Sequence, residues 1–324
     1  MVDRLKALLK RLRENYYLST LLANSAKPVY SVSRHLALQI QRKIRKNGVT
    51  IQLPNGKRMT IGRDTGVGMA SLLFWHGLEG HEPDTSRTLR FLFERATTFV
   101  DVGANCGLYS ILGPLWNPNL KVVAFEPVPA IFQGLQRNVR LNHLEGCVHC
   151  ENAALSSQSG HATLFLPTQE GLDLESTGTL VTESWQARKG SPQLDVVTVR
   201  FDEYEECHPM RVDLVKIDVE DFEARVLQGM QATMMRDRPF IVCEVLPRSH
   251  RNRRTSEIVE ILNYQPYWIT PMGHIRVPHF DFGRAHLTDF LLSPVSTPDP
   301  VIGDLSVLLE LRQRLILTDV KKVG

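Results

Sequence analysis

Between Thr98 and Val245 the chain alternates short apolar runs with amphipathic segments, and few folds accommodate that rhythm. The apolar runs are "TFVDVGA", "KVVAFEP", "CVHCENAAL", "VDLVKID" and "PFIVCEV". Between most of them lie "GLYSILGPLW", "AIFQGLQRNVRLNHL", "DFEARVLQGM" and "RTSEIVEILNY". Runs this short and this uniformly apolar suit strands buried on both faces, and the segments between them have helical spacing. The pattern predicts an α/β fold with a doubly wound, mainly parallel sheet. Residues 161–200 break the alternation: "HATLFLP" and "LDVVTVRF" read as extra strands around a polar surface loop, "TQEGLDLESTG". "LTDFLLSP" reads as one more strand, and residues 301–317 as a terminal helix.

Charge divides the chain differently. Residues 1–58 hold 13 Lys/Arg and two acids, whereas the remainder holds 25 Lys/Arg against 33 acids. "RLKALLKRLREN" sets Leu5, Leu8, Leu9 and Leu12 on one helical face among basic residues, which fits a docked extension or attraction to anionic lipid. "GVTIQLPNGKRMTI" then alternates around Pro54-Asn55-Gly56, a hairpin signal. The expected organisation is a basic helical extension with a short hairpin over 1–60, the main domain over 61–296 and a C-terminal helix over 297–324. No apolar run is long enough to cross a bilayer, and the N-terminus lacks a signal-peptide core. The expected location is cytoplasmic, with peripheral membrane contact through the basic arm and no nucleic-acid partner. The five cysteines show no disulfide framework, and Cys147 and Cys150 lack the second pair that a zinc site would need.

In an open α/β sheet, ligands bind outside the carboxyl ends of the strands. The turn from Gly103 to Gly107 occupies such an end. A dinucleotide fingerprint, Gly-x-Gly-x-x-Gly, would need glycine at Asn105 and at Leu108. Asn105 puts a side chain where a pyrophosphate needs bare backbone, so a phosphate-free cofactor, S-adenosylmethionine, fits better. The turn's N–H groups can then meet the cofactor's carboxylate, and Asp101 can face its ammonium or simply organise the turn. Glu126, with Pro127 fixing the chain's exit, ends the next strand where a carboxylate accepts ribose hydroxyls. Asn152 can face the adenine edge, and Ala153 lets the ring lie flat.

With these strand ends in view, the chain resembles the FkbM-type methyltransferases. The likeness is carried by "FVDVGANCGLYS", "AFEP", "NVRLNHL", "ENAALSS", "VDLVKIDVEDFEARVLQGM" and "RPFIVCEV", across roughly Glu82 to Pro294. It implies a class I, Rossmann-like fold and an S-adenosylmethionine-dependent enzyme that O-methylates a hydroxyl of a saccharide, glycoconjugate or natural product. By the resemblance Asp101, Gly103, Asn105, Gly107 and Glu126 line the cofactor site. The family usually reads Lys-Ile-Asp-Val-Glu-Gly, and here Asp221 replaces the glycine. Asp221 is expected to cap the helix that follows.

Methyl transfer needs an acceptor oxygen aligned and its proton removed. Asp218, at the end of its strand, is the first candidate for general base or positioning acid. Glu220 is the second and Glu244, ending the next strand, the third. Lys216 and Asp218 alternatively form a structural pair. No compact motif assigns a metal. Glu82 can fold over the cofactor's amino-acid end or start a surface helix. His274, His279 and His286 fall near a substrate-side loop without visible partners. Two other readings remain open at this point, an NAD-dependent oxidoreductase and a non-catalytic binding module on the same fold.

Overall fold

Apolar runs ending in an acid or a turn residue become the central strands. A computed structural model describes residues 24–25, 47–63, 66–166, 192–245, 252–278, 280 and 288–295. The expected helices over 1–47 and 301–317, the polar loop after Pro167, His279 and His286 lie outside the described residues, apart from residues 24, 25 and 47. In chain order the first elements are β1 (Val49–Gln52), β2 (Arg58–Ile61), α1 (Val67–His76), α2 (Pro83–Phe93), β3 (Thr98–Val102), α3 (Leu108–Trp116), β4 (Lys121–Phe125) and α4 (Pro129–Leu141). Next come β5 (Val148–Glu151), β6 (Ala154–Leu155), β7 (Gly160–Phe165), β8 (Gln193–Val199), α5 (Phe201–Cys207), β9 (Leu214–Ile217), α6 (Glu223–Gly229) and α7 (Gln231–Asp237). The last are β10 (Phe240–Glu244), α8 (Asn252–Ile261), β11 (Tyr264–Thr270), β12 (Gly273–Arg276) and β13 (Asp289–Pro294).

Eight strands form one sheet in the order β12-β11-β13-β10-β9-β3-β4-β5. The five from β10 to β5 are mutually parallel, while β13 runs antiparallel between β10 and β11. This is a mixed, mainly parallel sheet flanked by helices, as the alternation of runs predicts. The chain leaves β3 toward β4 and β5, then returns to β9 and β10 on the other side. The strand order therefore reverses between β3 and β9, the place where a ligand crevice opens.

Alternation along β3 explains how both faces are filled. Phe99 joins a cluster with Ile111, Leu112 and Leu135 from α3 and α4, while Val100 and Val102 join Phe201, Leu227 and Met234 on the other face. Pro83 and Pro129 each stand at the first position of their helix, where the missing N–H costs nothing.

The hairpin is built into the same body. Met59 and Ile61 are buried in the first cluster. Asn142, at the C-cap of α4, accepts from Thr60 N–H at 2.8 Å and donates to Thr60 C=O at 2.7 Å. Asn138, wholly buried, accepts from Gly62 N–H at 2.7 Å and donates to Cys106 C=O at 2.8 Å.

Several elements differ from expectation. "CVHCENAAL" splits, with β5 in the main sheet and β6 in a three-stranded sheet ordered β6-β8-β7. The helices α1 and α5 and the β11–β12 hairpin are additions that the alternation did not mark. The apolar moment of α1 is weak because both of its sides meet protein, so it carries no periodic signal.

Candidate active site

The strand ends enclose a cleft with about 610 Å³ of empty space, open solvent at its mouth included. Of the residues expected at the cofactor, Gly103, Asn105, Glu126, Pro127 and Ala153 line it, with Val128, Ile131, Leu155, Leu164 and Phe222 as apolar wall. Asp218 and Glu220 line its other end. Asp101, Gly107, Asn152 and Glu244 are not among the lining residues.

Glu126 is 5% exposed, and both of its oxygens are engaged. Oε2 accepts from Asn105 N–H at 3.0 Å and Oε1 from Val128 N–H at 2.9 Å. A carboxylate has about four lone-pair sites, so each oxygen keeps capacity for one ligand hydroxyl. Burial pushes its carboxyl up to about 7, against the lowering effect of the two N–H groups. Hydroxyl donors that favour the charged form would bring it back down.

The turn itself offers less than expected. Gly103 and Ala104 donate their N–H groups to Phe125 C=O, and Gly107 to Ala104 C=O. Asn105 N–H goes to Glu126, and Cys106 N–H to the Asn105 side chain at 2.7 Å. All five backbone donors from Gly103 to Gly107 are thus spent inside the protein, where the sequence reading had them meet a carboxylate. The same fact leaves none of these five donors for a dinucleotide pyrophosphate.

Asp101 faces the interior. It is 2% exposed and accepts from Ser110 Oγ at 2.5 Å, which ties β3 to α3. Burial raises its carboxyl to about 6, with Lys216 opposing. Its position in the strand points it to the α3 side rather than into the cleft, so it organises the turn from below. Asn152 donates to Glu126 C=O at 2.8 Å and Pro127 C=O at 3.1 Å, joining two strand ends, where the adenine edge had been expected. Gly107 has a φ of 88° and faces Leu135, packing the turn on α4.

At the far end, Lys216 is 4% exposed and its ammonium lies 2.7 Å from Asp218 Oδ2 and 4.0 Å from Glu82 Oε2. Tyr109 donates to Glu82 Oε2 at 3.0 Å, and its ring lies 5.1 Å from the Lys216 ammonium. Glu82 therefore reaches inward from the start of α2. Burial disfavours the charge on Lys216, but Asp218 and Glu82 outweigh it and hold the group well above its ordinary value. Burial likewise works against the Asp218 carboxylate, and Lys216 and a hydrogen bond from Glu244 outweigh it and lower it. Burial and then the Asp218 charge push Glu244 up to about 10. Asp218, Glu220 and Glu244 bring oxygens within 4.8 Å of one another. Lys216 supplies a positive charge at Asp218, and the three carboxyl groups are close enough for a proton to be shared among them.

Sequence reasoning did not assign Tyr109 or Asp289 to this site. Asp289 sits opposite Glu244 across β10 and β13 and accepts from Thr85 Oγ1 at 2.8 Å. The available signal was a lone acid opening the apolar run "DFLL". His274 is held elsewhere, with Nε2 3.1 Å from Thr88 Oγ1. Burial pulls its imidazole down to about 4, so it is neutral at physiological pH.

Asp221 is not a cap. The helix α6 begins at Glu223, with Phe222 at its N-cap, and Asp221 has a φ of 75°. Its N–H donates to Glu223 Oε1 at 2.9 Å. Left-handed backbone favours glycine, so Asp221→Gly should raise stability by roughly 0.5–1 kcal/mol, the relief of strain exceeding the added unfolded-state entropy. Urea midpoints of the two proteins check this; a lower midpoint for the variant contradicts it.

Comparison with known proteins agrees with these strand ends. The family model described as the methyltransferase FkbM domain matches residues 101–268. Methyltransferase sdnD of Sordaria araneosa is 33% identical over 153 residues, 40% of this chain and 59% of that protein. The 31-O-demethyl-FK506 methyltransferase FkbM of Streptomyces tacrolimicus is 28% identical over 156 residues, 40% of this chain and 58% of that protein. The chain thus matches less than two thirds of the length of either relative. A solved structure of methyltransferase FkbM from Methylobacillus flagellatus KT aligns at a TM-score of 0.41 with 14% identity, over 72% of this chain and 56% of that one.

Proposed function

This chain belongs to the FkbM methyltransferase family, and from that premise we propose that it methylates a hydroxyl group of a saccharide, glycoconjugate or related natural product. The family fold implies S-adenosylmethionine, which supplies a methyl group already activated on a sulfonium. Glu126 would hold the ribose hydroxyls with its remaining lone pairs. Ala153, Val128, Ile131, Leu155 and Phe222 would take the adenine between apolar surfaces, with Pro127 setting the chain's exit.

The carrying observation is the placing of the acids along the cleft. On the β4 side Glu126 lies among Val128, Ile131, Ala153 and Leu155, and on the β9 side Asp218 and Glu220 alternate with Val219 and Phe222, with Lys216 behind Asp218. The residues fit a cofactor that is neutral and flat at one end and positively charged at the other. Asp218 is the group that orients the acceptor hydroxyl. Its own carboxylate, held low by Lys216, is too weakly basic to keep the proton, which has to pass on to a group beyond it.

Calorimetry with S-adenosylmethionine and with NAD tests the cofactor. NAD binding in the absence of S-adenosylmethionine binding would sink the reading. Transfer of a labelled methyl group to a panel of methyl glycosides and macrolide hydroxyls tests the acceptor. On an accepted substrate, Asp218→Asn should lower the transfer rate by about 10²–10⁴ at saturating cofactor, with circular dichroism showing that the fold survives the loss of the Lys216 partner. Survival of full transfer would show that Asp218 does not orient the acceptor.

A further inference from the structure

Carboxyl groups crowd the chamber beyond Asp218. From β9 come Lys216 and Asp218, from β10 Glu244, from β13 Asp289 and from the loop after β9 Glu220. Glu82 and His81 enter from the start of α2, Tyr109 from α3, and Asp101 lies beneath on β3. His81 Nε2 stands 3.4 Å from Glu82 Oε1 and is 30% exposed at the rim. Lys216 is the buried cation among them. Glu244 and Asp289 are direct cross-strand partners, a pairing that two full charges would oppose. Asp218, Glu220 and Glu244 also bring carboxyl oxygens within 4.8 Å of one another, a crowding that favours a proton held between them over full charge on each.

We propose that the Asp218–Glu244–Asp289 group exchanges its shared proton for the positive charge of S-adenosylmethionine, and so distinguishes that cofactor from its neutral-sulfur product. The proposal rests on the cofactor reading above. Lys216 is buried and Asp218 and Glu82 are part-buried beside it, so a change of net charge among them is costly. When a sulfonium arrives beside Asp218, the proton held with Glu244 leaves to solvent and the chamber's charge stays constant. The vacated Glu244 oxygen is then a base that exists only in the loaded enzyme.

The same account closes over methyl transfer. The acceptor oxygen takes the methyl carbon as its O–H bond breaks. The sulfur keeps the electron pair of the broken C–S bond and becomes neutral, and the hydroxyl proton goes to the vacant Glu244 oxygen. One positive charge leaves the sulfur as one proton enters the carboxyl group. The chamber ends as it began, protonated, and no longer favours what it holds. Burial first, and then neighbouring acids, raise Glu244 to about 10 and Asp289 to about 7, so the empty chamber holds a proton at pH 7.

Calorimetry of the full chain at pH 7, in phosphate and in Tris, gives the protons released per ligand bound. S-adenosylmethionine should release about one proton more than S-adenosylhomocysteine. Any proton lost from Glu126 on ribose binding is common to both ligands and cancels in the difference. The affinity ratio of the two should rise toward tenfold per pH unit while the chamber stays protonated when empty. Glu244→Gln should abolish the difference and flatten the ratio. Equal proton counts for the two ligands, with both binding tightly, would overturn the exchange and leave the cofactor reading standing. No binding of S-adenosylmethionine would overturn both.

Discussion

Gly103→Ala should leave little correctly folded protein. A Cβ at this position would lie 2.0 Å from the Asp218 carbonyl oxygen, and the backbone there has a φ of 81°. That contact is with backbone, so no side-chain rotation relieves it. The strands β3 and β9 are hydrogen-bonded neighbours up to this point, with Asp218 N–H donating to Val102 C=O at 3.0 Å. Parting them would break the sheet at the place where its strand order reverses. A loss of at least about 3 kcal/mol is expected, at the severe end for a single substitution. Soluble yield and thermal unfolding followed by circular dichroism measure it. A variant within a few degrees of the parent would mean that the two strand ends are not in contact as described.

Glu126→Gln should be nearly as damaging to the site while leaving the fold in place. The two atoms of a glutamine amide differ, and only one accepts. Whichever way it turns, its NH₂ confronts the N–H of Asn105 or of Val128, two donors facing each other. One backbone donor is left unsatisfied, at a cost of about 1–3 kcal/mol, and the turn that shapes the cleft shifts. Loss of the two hydroxyl contacts adds to this, since hydrogen bonds to a charged group are worth about 1.5–3 kcal/mol each. Cofactor affinity should fall by at least about a hundredfold, read by calorimetry, with circular dichroism showing retained secondary structure. Affinity within threefold of the parent would remove Glu126 from the ribose role.

Much of this arrangement was legible because it is local. A short, mostly apolar run closing on an acid identifies a strand end without knowledge of its neighbours, and Asp218 and Glu126 were reached that way. Asp101 and Asn152 carry the same kind of signal yet face away from the cleft. The direction of a strand-end side chain depends on which helix crosses beside it, here α3 with Ser110, and on the register with the adjacent strand. Neither is written in the run itself. The pairing of Lys216 with Glu82, and of Glu244 with Asp289, joins segments far apart in the chain. The antiparallel insertion of β13 between β10 and β11 is what makes the second pair neighbours, and nothing in "LTDFLLSP" announces that choice. Asp221 shows a different limit: a residue that reads as a helix cap by type adopts left-handed backbone two residues before the helix begins.

Two asparagines, one inside α4 and one at its C-cap, bear on where this protein can be cut. Asn138 spans from Gly62 to Cys106, and Asn142 holds both backbone groups of Thr60. A fragment beginning after the hairpin would strand those amides, Asn138 buried and Asn142 part-buried, and uncover the hollow that Met59 and Ile61 fill. Such a fragment is expected to unfold at a lower temperature than one that keeps Val49–Ile61.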